Sequence, residues 1–207
     1  MPSQGTRDLI LDATDRLLAT TGFRSITMDD IAAAAGVSRR TIYMYFPSKD
    51  EVGLSSIDRV VESTHGHLER IAEAEGDPSA RLHQILVERV LYRIDSVRPY
   101  RASLNELFEA VRPAYMARRK RHHDREIALV ARVLEGGRAC GKLSFDDAAA
   151  TAATLVQATN AFLPYSLGVE ELGERARIEE GVRRMADLLL RSLTAHVSPV
   201  GRRRKRP

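Results

Sequence analysis

The chain has 207 residues, 43% of them hydrophobic and 29% charged, a size and balance that suit one or two compact domains with a real core. No apolar run approaches the roughly 18 residues that cross a bilayer and the amino terminus lacks a signal peptide's basic start and apolar run, while a lone Cys140 excludes an internal disulfide and a metal quartet; a cytoplasmic protein with no membrane partner, metal or cofactor is expected. The net charge of +4 resides in the tail, where Arg202, Arg203, Arg204, Lys205 and Arg206 leave the rest of the chain at −1, so attraction for nucleic acid must come from the placement of charges.

Leu9, Ile10, Ala13, Leu17 and Leu18 recur at helical spacing, and Gly22 ends that segment. Thr27 caps a second helix from Met28 to about Ala35, with Asp30 as its reciprocal partner and Ile26 and Ile31 at the staple positions. Gly36 supplies a corner. Ser38 then caps a third helix, with Val37 and Ile42 as a second staple pair, and Phe46 before Pro47 closes it. Ser48-Lys49-Asp50-Glu51 spells a capping box that opens a fourth helix carrying Val52, Leu54, Ile57 and Val61.

Glu75-Gly76-Asp77-Pro78 is the clearest break, ahead of a helix over residues 79–96. Residues 100–110 and 114–135 read as two helices separated by Pro113, the second opening with the basic stretch ARRKRHHDR and ending at Gly136, Gly137 and Gly141. Asp146 opens a helix rich in small residues that reaches about Leu163, and a last helix carries Ile178, Val182, Met185, Leu189 and Leu193. The fold class expected is all-α with about nine helices. A three-helix helix-turn-helix domain occupies residues 1–50, helix four joins it to a larger helical domain at 51–197, and a basic disordered tail follows at 198–207.

On a helical wheel for residues 39–46, Ile42 and Phe46 share one stripe, Arg40 and Met44 point nearly opposite, and Thr41 and Tyr43 take the shoulders. Arg39 and Tyr45 fall on the flanks. Burying Ile42 and Phe46 contributes about 1.5 to 3 kcal/mol each, enough to fix which way the helix turns its polar side. A guanidinium bonds guanine O6 and N7 in parallel and discriminates by about 1 to 3 kcal/mol, whereas a phosphate contact only sets register. Arg40 is therefore the first candidate base reader and Arg39 the second; Met44 shares the face of Arg40, and Tyr43 offers a ring for a thymine methyl and a hydroxyl for phosphate. Thr27 and Lys49, at helix starts, combine a donor with the positive end of a helix dipole and are candidate phosphate clamps.

The run ILDATDRLLATTGFRSITMDDIAAAAGVSRRTIYMYFPSKDEV, most specifically Thr27, Ile31-Ala32, Gly36-Val37-Ser38, Thr41-Ile42-Tyr43, Tyr45-Phe46 and Ser48-Lys49, resembles the amino-terminal domain of TetR-family transcriptional regulators. The resemblance implies phosphate contacts for Thr27, Thr41, Tyr45 and Lys49, backbone and base contacts for Tyr43, and a helical ligand-binding and dimerisation domain beyond. One position departs from the pattern: where the family commonly has glycine this chain has Arg40, which must read a base or alter the docking distance.

The function expected is that of a sequence-specific regulator, a repressor released from a palindromic double-stranded DNA operator by a small-molecule effector. No G-x-S-x-G, P-loop or dinucleotide glycine signature points to an enzyme. A homodimer would set two recognition helices about 34 to 36 Å apart, with Ala152, Thr159, Val182, Met185 and Leu189 as candidate interface residues. Tyr92, Phe108, Tyr115, Asn160 and Phe162 are candidates for lining a ligand pocket. The alternative class is an architectural protein that holds DNA constitutively through its RRRKR tail. His122 and Glu126 share a helix face, but no third ligand of suitable spacing follows, so a solvated basic face is expected there.

Overall fold

Each early helix begins where a side chain can receive the free amide protons of its first turn. In the computed structural model, which describes residues 3–193, Thr27 Oγ1 accepts from the Asp30 N–H at 3.2 Å while Asp30 Oδ2 accepts from the Thr27 N–H at 2.9 Å. Ser38 caps the next helix through the Thr41 N–H, and Ser48 the one after through the Glu51 N–H. Gly36, at φ +68°, makes the corner between the two middle elements in a backbone conformation that side-chain-bearing residues rarely adopt.

The described residues form nine α-helices and no strand: α1 (Gln4–Thr20), α2 (Met28–Ala35), α3 (Arg39–Tyr45), α4 (Lys49–Glu73), α5 (Pro78–Val97), α6 (Leu104–Ala139), α7 (Ala148–Ala158), α8 (Val169–Gly173) and α9 (Arg175–Arg191). The architecture is all-α. In the amino-terminal head, Ile10, Leu11, Leu18, Phe23, Ile31, Ile42 and Phe46 close a small core. In the body, α5 packs against α4, α6 and α9, and its Leu82, Ile85, Leu86, Val90 and Ile94 are almost fully buried. Head and body meet where α1 packs on α4 and on the turn at Arg98–Ser103, with Ser103 Oγ donating to the Leu18 carbonyl.

Several elements depart from the sequence pattern. Leu9 stands 55% exposed, and the inward stripe of α1 is carried by Ile10, Leu11, Ala13, Thr14 and Leu18. The two helices expected on either side of Pro113 are one, because α6 runs through it. Pro113 and Glu109 are both exposed, so the carbonyl that loses its helical partner can turn to water. Gly136 and Gly137 lie inside α6, and Gly137 is a close-packing position: a Cβ there would fall 2.3 Å from Leu143 Cδ1. The small-residue helix stops at Ala158 and continues as a short 3-10 turn over Thr159–Phe162 ahead of Pro164, and the brief α8 adds an element the pattern did not reveal. The basic tail expected at 198–207 lies outside the described residues.

Candidate nucleic-acid interface

The third helix is held by one side. Ile42 and Phe46 are 0% and 1% exposed, seated in the head core, and the opposite side carries Arg39, Arg40, Tyr43 and Met44, all exposed. Arg39 Nη1 donates to Asp29 Oδ2 at 2.8 Å, and its guanidinium lies 5.9 Å from the Tyr43 ring centroid, which draws it toward the start of α2. Among the described residues no hydrogen bond or ion pair engages the Arg40 side chain. Its guanidinium is thus available to a ligand without first breaking a contact.

The candidate phosphate donors are more committed. Thr27 Oγ1 donates to Asp30 Oδ2 at 2.7 Å, and that bond is the main reason the Asp30 carboxyl sits below its ordinary range. Thr41 Oγ1 shares a hydrogen bond of 2.8 Å with Ser38 Oγ. The Tyr45 hydroxyl, half-buried, accepts from the Ser3 N–H at 2.6 Å and so ties the start of α1 to the end of α3.

Lys49 requires a correction. Its Nζ donates to the carbonyls of Phe23, Arg24 and Ile26 at 3.0, 3.1 and 2.9 Å and lies 4.9 Å from the Phe23 ring centroid. An ammonium has three protons, and all three are engaged in closing the loop between α1 and α2, so none remains to clamp phosphate. Lys49→Met should therefore lower stability by about 1.5 to 3 kcal/mol, the range for hydrogen bonds to a charged group. The salt dependence of DNA binding should not change. A slope reduced by about 0.9 on a log–log plot would show instead that Lys49 neutralises a phosphate.

The expected solvated basic face on α6 is a second correction, because His122 and Glu126 are 7% and 3% exposed. Glu126 Oε2 accepts from Arg89 Nε and Nη2 at 3.3 and 2.7 Å, and Oε1 accepts from Arg93. Arg89, fully buried, also donates to the Val156 carbonyl, Thr159 Oγ1 and Asn160 Oδ1. Burial pushes the Glu126 carboxyl up, but the charges of Arg93 and Arg89 outweigh it and hold the group well below its ordinary range. His122 Nε2 lies 3.1 Å from Asp58 Oδ1 on α4. Sequence reasoning passed over Arg89 and Arg93, although two arginines four apart inside the largely apolar run ILVERVLYRI were the available signal.

Beside this cluster a narrow cavity of about 50 Å³ lies between α4, α5, α6 and the segment at 163–165. Ile57 and Val61 of α4, Val97 of α5 and Leu104 and Phe108 of α6 give it an apolar wall, and Arg93, Arg119, His122, His123 and Glu126 a polar one; Tyr115 and Tyr165 also line it. Of the five pocket candidates, Phe108 and Tyr115 face the cavity. Tyr92 instead bonds Ser63 and stacks on His67, Asn160 serves Arg89 and His123, and Phe162 lies against Gly181.

Three of the candidate interface residues are internal: Ala152, Thr159 and Val182 are 0% exposed within one protomer, which rules them out as an outer contact surface. The stripe on each of these helices fills the core of its own chain. Met185 and Leu189 are half-buried, and the exposed large apolar side chain on α9 is Leu188.

Comparison with known proteins places the head. Residues 10–53 match bacterial regulatory proteins of the tetR family. A stretch of 77 residues is 43% identical to the HTH-type transcriptional regulator EthR of Mycobacterium tuberculosis, covering 37% of this chain and 36% of that protein. Another of 87 residues is 40% identical to the HTH-type transcriptional regulator AcrR of Shigella flexneri, covering 41% and 40%. The chain thus aligns with well under half the length of these curated relatives. A solved transcriptional regulator of the TetR/AcrR family from Thermobifida fusca superposes over 89% of this chain and 96% of its own, with TM-score 0.65 and 26% identity. A regulator from Cytophaga hutchinsonii, at 19% identity, shares the fold over 92% of this chain and 100% of its own with TM-score 0.76.

Proposed function

We propose that this chain, whose helix-turn-helix is that of TetR-family regulators, is a sequence-specific DNA-binding transcriptional repressor that works as a homodimer in the cytoplasm and leaves a palindromic operator when a small molecule occupies its body. The observation that carries this reading is the division of α3, which sinks Ile42 and Phe46 and leaves Arg40, Tyr43 and Met44 outward. Residues 1–50 read the DNA, and residues 51–197 bind the effector and the second protomer. Leu188 with Met185 and Leu189 on α9 is the apolar surface available for pairing.

Release follows from the path of α4. Its first turn ties to the head through Lys49, and two to three turns later Ile57, Val60 and Val61 form a wall of the cavity. A volume of about 50 Å³ admits only a few atoms, so a larger ligand must displace that wall. A ligand that prefers the displaced conformation shifts the population toward recognition helices wrongly spaced for successive major grooves.

Selection of bound fragments from genomic DNA supplies the operator, and substitution then tests the reader. Arg40→Ala should cost about 1 to 3 kcal/mol on the selected site and relax base choice at one position. Equal weakening on every DNA sequence would remove Arg40 as a base reader.

A further inference from the structure

Arg119 stands apart from Arg89, Arg93, Arg118 and Arg125. Arg89 and Arg93 share Glu126, Arg118 lies between Glu51 and Asp58, and Arg125 pairs with Glu62. Among the described residues no carboxylate comes within ion-pairing distance of Arg119. Its guanidinium sits over the Tyr165 ring, 4.9 Å from the centroid, with Nη2 donating to the Tyr165 hydroxyl at 2.8 Å. Its Nε is buried without a hydrogen-bond partner.

A half-buried cation lacking a counter-ion bears a desolvation penalty that an incoming anion would relieve. We propose that the cavity takes a carboxylic acid, its carboxylate read by Arg119 and its apolar body lying against Phe108 and Tyr115. The inference rests on the reading of this cavity as the effector site. The local charge balance favours an anion, because Arg93 and Arg119 line the cavity with a single carboxylate, Glu126, and that carboxylate is already shared by Arg89 and Arg93. The same Glu126 lines the polar wall and opposes a second negative charge, which selects a monoanionic carboxylate over a phosphate monoester. A guanidinium fork matches the two oxygens of a carboxylate, whereas an alcohol offers one weak acceptor.

Isothermal titration of the full chain near neutral pH, with benzoate against benzyl alcohol and octanoate against 1-octanol, tests the assignment. At least one acid should bind about 10- to 100-fold tighter than its alcohol. Arg119→Gln should erase that advantage, bringing each acid to within a few-fold of its alcohol, and Arg119→Lys, which keeps the charge, should retain part of it. No acid preference in either pair, no binding by any of the four compounds, or a preference that survives Arg119→Gln would overturn the proposal. The acid–alcohol comparison on the unaltered chain stands whatever the variants do to folding. Titrating the operator complex in parallel keeps the two readings apart. Acids that bind without releasing DNA count against ligand-driven release and leave the carboxylate site standing; release by alcohols and acids alike removes the carboxylate site and leaves ligand-driven release standing.

Discussion

Glu126→Ala is expected to lower the unfolding free energy by about 3 to 5 kcal/mol, which for a chain of this size is a fall of about 6 to 20 °C in the thermal midpoint. The substitution leaves the buried guanidinium groups of Arg89 and Arg93 facing each other with no anion between them. The pH dependence identifies the cause. Because the folded-state carboxyl is held below its ordinary value of 4.5, the stability it contributes is fully present above that value and is lost as pH falls below it. The gap between parent and variant should therefore be widest near neutral pH and shrink in acid. A gap independent of pH would point to lost packing instead. Replacing all three groups together, Arg89→Met with Arg93→Met and Glu126→Leu, should recover most of the loss, since well-packed apolar side chains replace a buried ion cluster at little net cost.

The cluster also marks where sequence reading reaches its range. The caps at Thr27, Ser38 and Ser48 and the staple pairs beside them each involve residues within five positions of one another, and the head was legible because every one of its signals is that local. Glu126 meets Arg89 across 37 positions, and nothing in either segment names the other. A histidine and a glutamate on one face of a basic helix look solvated until α4 is laid against the first and α5 against the second. The three protons of Lys49 could not be assigned from a capping box, because the carbonyls that take them belong to a loop 23 to 26 residues earlier. Pro113 reads as a break in any apolar pattern, and whether it is one depends on which side of the helix meets water. The stripes on α7 and α9 carry the same ambiguity: periodicity says that Ala152 and Val182 are covered, but not whether their own chain or a second copy covers them.

Gly53→Val should damage stability and operator binding together, because it acts at the joint between head and body. A Cβ at this position would lie 2.6 Å from Leu107 Cδ1 of α6 and 2.9 Å from Phe23 Cε2 of the head. Helix propensity alone would favour a residue with a side chain here by up to about 1 kcal/mol. Overpacking costs about 1 to 3 kcal/mol and should prevail, since Gly53 is buried between two side chains that are themselves buried. Relieving the clash requires α4, Phe23 or the start of α6 to move, and Phe23 also supplies one of the carbonyls that anchor Lys49. The head should therefore re-seat, and operator affinity should fall by on the order of tenfold, about 1.4 kcal/mol, with its salt dependence unchanged because no phosphate contact is lost. Adding Leu107→Ala opens the space on the body side, and a double-mutant cycle should return a coupling of about 0.5 to 3 kcal/mol in both stability and DNA binding. Coupling in stability alone would mean that the joint holds the fold without orienting the head, and the route from cavity to α3 would then have to bypass this part of α4.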